Sequence, residues 1–391
     1  LAIKTTFLAL NCGSSSIKFA IFAADGARNL TGLVEAIGHG QVPKLKISGA
    51  QARRFGDQAS SHSDLLPRLI DEIIVPHATN LGMSGRIGGV GHRVVHGGEQ
   101  FDAPIAVNAE VRRDIDALTP LAPGHQPHNL AGIDAASAAL PGVLQVACFD
   151  TAFHNTVPAV RREMALPRSY AREGLLRYGF HGLSYQHVAA TLPSLGLSGG
   201  RVIACHLGNG SSISGMIDGK SAWTSMGFTP LDGLMMGQRP GRLDPGAVLW
   251  LIERHRGDDA AVTDLLYHQS GLAGVSGLSG DMRLLLASEQ ADAKFAIDMY
   301  VDRLVQEIGA AAASLEGCDA IVFSGGIGEN SAPIRAMVLK RLSWLGFALD
   351  ADANAKGARR VTNPHSARPA FIVKADEEQV IAEAVAAMLA H

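Results

Sequence analysis

Four kinds of side chain in this sequence are placed where they could handle a phosphoryl group. Arg93 stands in GHRVVHGGE and Arg239 in GLMMGQRPGRLDPG. A guanidinium offers a planar fork matched to carboxylate or phosphate oxygens. In a chain of formal net charge −3, arginines inside glycine-rich stretches are an odd choice for mere surface charge. A structural salt bridge is the competing reading. His96, His125, His181 and His206 each lie beside glycine in loop-like stretches. Zinc would need tighter spacing and acid or thiol ligands. His125 and His128 are close together, but in a proline-rich stretch without such a ligand. Donation to a phosphoryl oxygen therefore fits these histidines better. Asp150 and Glu377 stand at strand-to-helix junctions, where each could hold a magnesium ion or its waters, or simply cap a helix.

Three glycine-rich turns accompany these groups: NCGSSS from Asn11, HLGNGSS from His206 and GGIGEN from Gly325. Turns of this kind gather backbone N–H groups and short hydroxyls at one point, a cradle for phosphate. The first is not a Walker loop, because G-x4-G-K-[ST] is absent and a strand follows it rather than a helix. Ordinary tight turns are the alternative, but three of them favour a nucleotide. The third opens a helical stretch whose amides can face phosphate or ribose oxygens.

Elements must hold these groups in place. Residues 6–22, TFLALNCGSSSIKFAIF, read as strand, turn, strand. Residues 33–47 look like a strand, 65–74 a helix and 87–95 a buried strand. A helix from 111 is closed by Pro120 and Pro123. APGHQPHN is a loop, 130–140 an alanine-rich helix, and 143–149 a strand ending at Asp150, where α/β folds put ligand sites. Loop and helix fill 151–200, and 201–205 is a strand. Ser211-Ser212-Ile213 repeats Ser15-Ser16-Ile17 half a chain later, with the same strand–turn–strand plan, which suggests an internal duplication. A long loop covers 221–246, with helices at 247–256 and 292–315. The latter carries Asp298, Asp302, Arg303 and Glu307 on its polar side. A buried strand at 320–323, a helix at 334–345, a strand at 371–374 and a helix at 377–389 with Asp376 as N-cap complete the chain. Alternation of strands and helices makes the class α/β.

Bulk composition bounds the function. A length of 391 residues suggests two or three domains, and 47% hydrophobic residues allow a large core. The net charge leaves no footprint for nucleic acid or an anionic membrane. Cys12, Cys148, Cys205 and Cys318 lack metal spacing and any disulfide framework, so a reduced, cytoplasmic protein is expected. No signal peptide and no stretch of ~20 apolar residues is evident. The start at Leu1 suggests a trimmed or tagged terminus. Neither G-x-S-x-G, H-E-x-x-H nor a dinucleotide fingerprint occurs, which weighs against hydrolase and dehydrogenase readings.

Together the motifs resemble the acetate kinase family, within the acetate and sugar kinase, heat-shock 70 and actin superfamily. LNCGSSSIKF resembles one family signature and GHRVVHGGE the other. FDTAFH, YGFHGLSYQHV, CHLGNGSS, TSMGFTPLDGLMMG, SGDMR, FSGGIGENS and ADEE follow in family order along nearly the whole chain. The resemblance implies a two-lobed, duplicated actin-like ATPase fold with a ribonuclease H-like βββαβα core in each lobe and a central cleft. Residues 1–150 with 378–391 would form the lobe bearing the carboxylate and phosphate loop, and 151–377 the nucleotide-binding lobe. The implied reaction is reversible, direct transfer of the ATP γ-phosphoryl to acetate, giving ADP and acetyl phosphate, in a cytoplasmic homodimer. By motif position Asn11 and Glu377 would hold Mg2+, with Mn2+ able to stand in, and Arg93 would bind the carboxylate. Asp150 matches the catalytic aspartate, His181 and Arg239 the transition-state stabilisers, and His125 another active-site histidine. Lys18 would meet ATP. So would His206, Leu207, Gly208, Asn209 and Gly210, then Asp281, Met282 and Arg283, then Gly326, Ile327, Gly328, Glu329 and Asn330.

Two departures stand out. The family's P-L-A-P-L-H-N-P is here Pro120-Leu121-Ala122-Pro123-Gly124-His125-Gln126-Pro127, so Gly124 replaces the leucine that lines the acetate methyl pocket. Propionate or butyrate kinase activity on the same fold is the resulting alternative. The family's G-D-[IL]-D-P is here Gly241-Arg242-Leu243-Asp244-Pro245, a cation for an acid. A non-kinase ATPase of the heat-shock 70 or actin type would want a further domain or filament surface, and a sugar kinase would want paired polar groups for hydroxyls.

Overall fold

The computed structural model describes residues 6–13, 15–38, 40–80 and 87–390; Ser14 of the first glycine-rich turn lies outside them. The chain divides into two compact units, Leu1–Ala152 with Asp376–His391, and Phe153–Ala375.

In the first unit β1 (Thr6–Cys12), β2 (Ser16–Ala23) and β3 (Arg28–Glu35) form an antiparallel meander. β4 (Lys44–Ile47) and β5 (Arg53–Arg54) extend it past β3. β6 (Ile87–Val94) lies parallel to β1, and β8 (Leu144–Phe149) parallel to β6, with the short β7 (Ile105–Ala106) antiparallel at the edge. β1 is buried throughout, and Lys18 is the one exposed residue of β2. Strands covered on both faces read as continuous apolar runs for this reason. One face packs Leu8, Leu10, Phe19 and Ile21 with Leu65, Leu66, Leu69 and Ile70.

The C-terminal helix Glu377–Leu389 is capped by Asp376, whose carboxylate accepts from the Gln379 amide. Its seat on β6 depends on two glycines. A Cβ at Gly89 would stand 2.4 Å from Val385, and one at Gly91 2.3 Å from Ile381. Two residues up the strand therefore match four residues back along the helix. One step further the same progression brings Arg93 beside Glu377.

In the second unit β9 (Arg201–Leu207), β10 (Ser211–Ile217) and β11 (Lys220–Thr224) form a second antiparallel meander. β12 (Ala320–Ser324) runs parallel to β9, and β13 (Ala370–Ile372) parallel to β12. The order β11-β10-β9-β12-β13 repeats the β3-β2-β1-β6-β8 of the first unit. The chain is α/β, and each unit carries the βββαβα plan of the actin-like ATPases. The long helix Ala291–Ser314 covers the sheet through Tyr300, Leu304 and Ile308.

Several local expectations need correction. The span 33–47 is not one strand: β3 ends at Glu35 and β4 starts at Lys44, with Ala36 between them in the left-handed region (φ 66°). The span 221–246 opens with β11, whose backbone pairs with β10. The APGHQPHN loop ends early, because the helix Gln126–Ala139 already contains its last four residues. Pro127 sits in the first turn, where its missing N–H is not needed. GGIGEN is itself a short helix, Gly325–Asn330, rather than a turn. Glu307 is buried rather than part of the polar side of its helix. The helices Asp259–His268, Gly271–Ser276 and Met282–Leu286 lay outside the sequence reading. Among the described residues no helix is long and apolar enough to cross a membrane.

Candidate active site

β1, β6 and β8 lie side by side and parallel, and their C-terminal ends carry Asn11, Arg93 and Asp150. Arg93 donates from Nε to both Asp150 oxygens at 3.1 Å and from Nη2 to Oδ2 at 2.5 Å. Its Nη1 reaches Asn11 Oδ1 at 3.3 Å. The Asp150 side chain is 1% exposed and that of Arg93 20%. Of the five guanidinium N–H groups, these bonds leave one on each terminal nitrogen, with no further hydrogen-bond acceptor for them among the described residues. Burial pulls the Arg93 pKa down, but Asp150 and then Glu377 outweigh it, and the net shift is upward.

Glu377 Oε2 stands 3.9 Å from Arg93 Nε, on a side chain 17% exposed. Burial raises its pKa; Arg93 and Lys18 pull it back, and Asp150 pushes it further up. Lys18 faces Asn11 directly across the β1–β2 hairpin, on the same side of the sheet. It belongs with this cluster, beside a shallow depression of about 380 Å³ that Lys46 and Glu378 also line. The Glu377 carboxylate and the Asn11 amide oxygen are ligands of the kind a hard cation such as Mg2+ takes. Among the described residues no group of three or more His, Cys, Asp or Glu gathers as a metal cage. A cation here would complete its shell with water and substrate oxygens.

Two buried amides, unmarked in the sequence reading, brace these strand ends. The β1–β6 ladder ends at the pair Leu10 and His92. Beyond it Asn129 takes over, accepting from the Val95 amide at 3.0 Å and donating to the Cys12 carbonyl at 2.8 Å. Gln126 accepts from His96 N and donates to His96 O. Both come from the first turn of the helix Gln126–Ala139; a polar pair opening an alanine-rich helix was the available signal. His96 is buried, its pKa pushed down to about 4 by burial, and its Nδ1 accepts from the Gly98 amide. His125 caps the same helix beside Gly124. His128 packs against the His62 ring, whose Nε2 contacts Gly13 O at 2.7 Å under the first glycine-rich turn.

In the second unit the three expected nucleotide segments meet at one cavity of about 700 Å³. Gly208 and Asn209, then Asp281, Met282 and Arg283, then Gly326, Ile327 and Asn330 line it, together with Gln238. Other members of those segments do not line it. Leu207 and Gly328 are buried in the framework, and Glu329 Oε1 accepts from the Gly325 and Ala375 amides. Arg335, also missed, is buried behind this helix and donates to the carbonyls of Gly328 and Glu329.

His181 precedes the helix Gly182–Thr191 with φ 60° and ψ 25°. That left-handed backbone costs a non-glycine residue about 1–2 kcal/mol and recurs at functional sites. Its Nδ1 meets Ser212 Oγ at 2.8 Å, and its ring lies 4.5 Å from that of His206. His206 Nδ1 in turn meets Ser184 Oγ at 2.8 Å. His181 Nε2 and Arg239 Nη2 converge on Gly210, standing 3.3 and 3.9 Å from where a Cβ would be. Arg239 is steadied by donation from Nη1 to Pro230 O at 3.1 Å. Its loop docks through Gly237, whose amide bonds Asn209 O. Where that loop ends, Arg242 pairs at 2.9 Å with Glu307, whose side chain is only 5% exposed. The cation that looked misplaced in Gly241-Arg242-Leu243-Asp244-Pro245 thus answers a buried acid.

The sequence pattern of the Acetokinase family matches residues 6–383. Over 395 residues the chain is 45% identical to the acetate kinase of Rhodopseudomonas palustris (strain TIE-1), covering 98% of both. It is 40% identical over 387 residues to the acetate kinase of Rickettsia felis, covering 98% of this chain and 99% of that one. Among solved structures, Porphyromonas gingivalis acetate kinase superposes with a TM-score of 0.87 at 35% identity, over 98% of this chain and 100% of that one. A propionate kinase from Francisella tularensis does so with 0.89 at 34% identity, over 97% and 98%. With its motifs, its repeated sheet order and these relatives in agreement, the chain belongs to the acetokinase family.

Proposed function

We propose that this protein transfers the γ-phosphoryl group of ATP reversibly to acetate, forming acetyl phosphate and ADP. Arg93 carries the reading: Asp150 holds its guanidinium in place and one N–H remains on each terminal nitrogen, a pair of donors for a carboxylate. Acetate is ionised at neutral pH, roughly three units above an ordinary carboxylic pKa. Its oxygen can therefore attack phosphorus without losing a proton, as the bond from phosphorus to the leaving ADP oxygen breaks. No general base is required, and Asp150 serves to orient Arg93. His181 and Arg239 donate to the oxygens of the transferred group as charge develops, and losing one such donor typically costs ~10²–10³ in rate. The segments around Asn209, Met282 and Ile327 take the nucleotide. Asn11 and Glu377 would hold a magnesium ion, which would offset the negative charge of the phosphate groups.

The reverse reaction offers a direct test. Supplied with acetyl phosphate and MgADP, the protein should produce ATP, read by luciferase; folded protein that makes none overturns the reading. Gly124 favours one extension. Glycine stands where the family resemblance puts the leucine of the acetate methyl pocket, and a Cβ there would meet nothing within 4 Å, so propionate is expected as a second substrate. Family membership also supports a homodimer in the cytoplasm; sedimentation at micromolar concentration tests the dimer.

A further inference from the structure

We propose that Tyr185 and Ser212 act as positioning residues that fix the tautomer of His181, holding its proton on Nε2. The inference rests on the reading of His181 as a donor to the transferred phosphoryl group. It follows from a count of hydrogens. Tyr185 and Ser212 are both fully enclosed, at 1% and 0% exposure. Tyr185 OH lies 2.5 Å from Ser212 Oγ, and Ser212 Oγ lies 2.8 Å from His181 Nδ1. Among the described residues these two are the only side-chain partners of the Ser212 hydroxyl, and Ser212 is the only side-chain partner of the Tyr185 phenol. Burial raises the phenol pKa far above its usual value, so its proton stays on. That proton needs an acceptor, and Ser212 Oγ is the one within reach. Ser212 has one proton of its own, and the remaining acceptor is His181 Nδ1. Any other order leaves a buried O–H without an acceptor, which native interiors avoid.

Nδ1 is thereby bare and the ring hydrogen sits on Nε2. Nε2 is the nitrogen that stands 3.3 Å from the Gly210 Cβ position, on the same side as Arg239 Nη2. The relay thus turns a group that could accept or donate into a fixed donor. Neighbours hold the relay still. Phe153 stacks over Tyr185 at 6.2 Å, and His154 meets its edge at 5.6 Å. His154 Nε2 also contacts Phe180 O at 3.0 Å, the carbonyl just before His181.

Selective 15N labelling of histidine, with two-bond 1H–15N correlation spectra at pH 8, reads the tautomer directly. His181→Gln assigns the resonance. The wild type should show His181 as the Nε2–H form. In Tyr185→Phe, which keeps the ring and removes only the hydroxyl, the ratio of Nε2–H to Nδ1–H should fall roughly tenfold, the worth of one hydrogen bond. Ser212→Ala should do the same. The accompanying kinetic signature is about a tenfold loss of kcat in Tyr185→Phe, with KM for acetate and for ATP unchanged. An Nδ1–H form in the wild type, or a ratio unmoved in both variants, overturns the proposal. A ratio that moves while kcat does not upholds the relay and removes instead the catalytic reading of His181.

Discussion

Asp150 grips the Nε–Nη2 edge of Arg93 with both carboxylate oxygens, inside a site where Asp150 itself is almost fully enclosed. A carboxylate spent on a guanidinium is poorly placed to accept a proton from a substrate, and the chemistry gives it none to accept. The two side chains work as one unit.

Their substitutions should therefore not add. Arg93→Ala is expected to raise KM for acetate about 30- to 100-fold, the worth of a charge-assisted pair, with KM for ATP little changed. Millimolar guanidinium should restore part of the loss. Asp150→Asn should lower kcat/KM strongly by itself, yet Arg93→Ala/Asp150→Asn should be no worse than the more severe single variant. Steady-state kinetics of the four proteins check this; additive losses would separate the two roles.

Asn129 bridges β1 and β6 where their own ladder has ended. Asn129→Asp keeps the acceptor for Val95 but sets a carboxylate against the Cys12 carbonyl. It is expected to cost about 2–4 kcal/mol in urea unfolding, and to weaken magnesium activation more than nucleotide binding, because Asn11 adjoins Cys12. An unchanged magnesium titration would leave Asn129 with a purely structural part.

Arg242 and Glu307 give a pH signature. Burial already raises the Glu307 pKa, and Arg242 is the first influence pulling it down. In Arg242→Ala the folded value rises further above the ordinary 4.5. Above 4.5 the unfolded chain releases this proton while the folded chain keeps it, so stability falls as pH rises through the interval up to the folded pKa. Arg242→Ala should thus be more destabilised at pH 8 than at pH 5. Adding Glu307→Gln should abolish that difference. Urea titrations at the two pH values decide it.

Gly124→Leu refills the open space. It should lower kcat/KM for propionate and butyrate about 10- to 100-fold relative to acetate, since one methylene in an apolar pocket is worth roughly 1–3 kcal/mol. A parallel change for all three acids would show that Gly124 does not touch the substrate chain.

Much of the frame was legible because it was written locally. Apolar runs around Gly/Ser turns marked both hairpins, and Asp150 at the end of a buried strand marked the edge where Asn11, Arg93 and Asp150 meet. Asp376 capped the last helix as read from its type and position. Other features depended on contacts distant in sequence. Nothing near Glu307 signals that its helix turns it inward to Arg242. Nothing near Asn129 shows that Cys12 and Val95 lie across from it. The strand through Gly89 and Gly91 is legible from its apolar run, but nothing near those glycines signals that the helix from Glu377 rests on them. GGIGEN has the composition of a turn, and it is helical because Arg335 and Glu329 hold its ends.

Trapping with hydroxylamine tests the central claim most directly. ATP, magnesium and each straight-chain carboxylate from one to five carbons are supplied, and acyl hydroxamate and ADP are measured together. Acetate should give acetohydroxamate and ADP in equal amounts, with propionate a slower but clear second. Folded protein that binds ATP and yields no acyl hydroxamate from any of these acids would contradict the assignment of a carboxylate kinase.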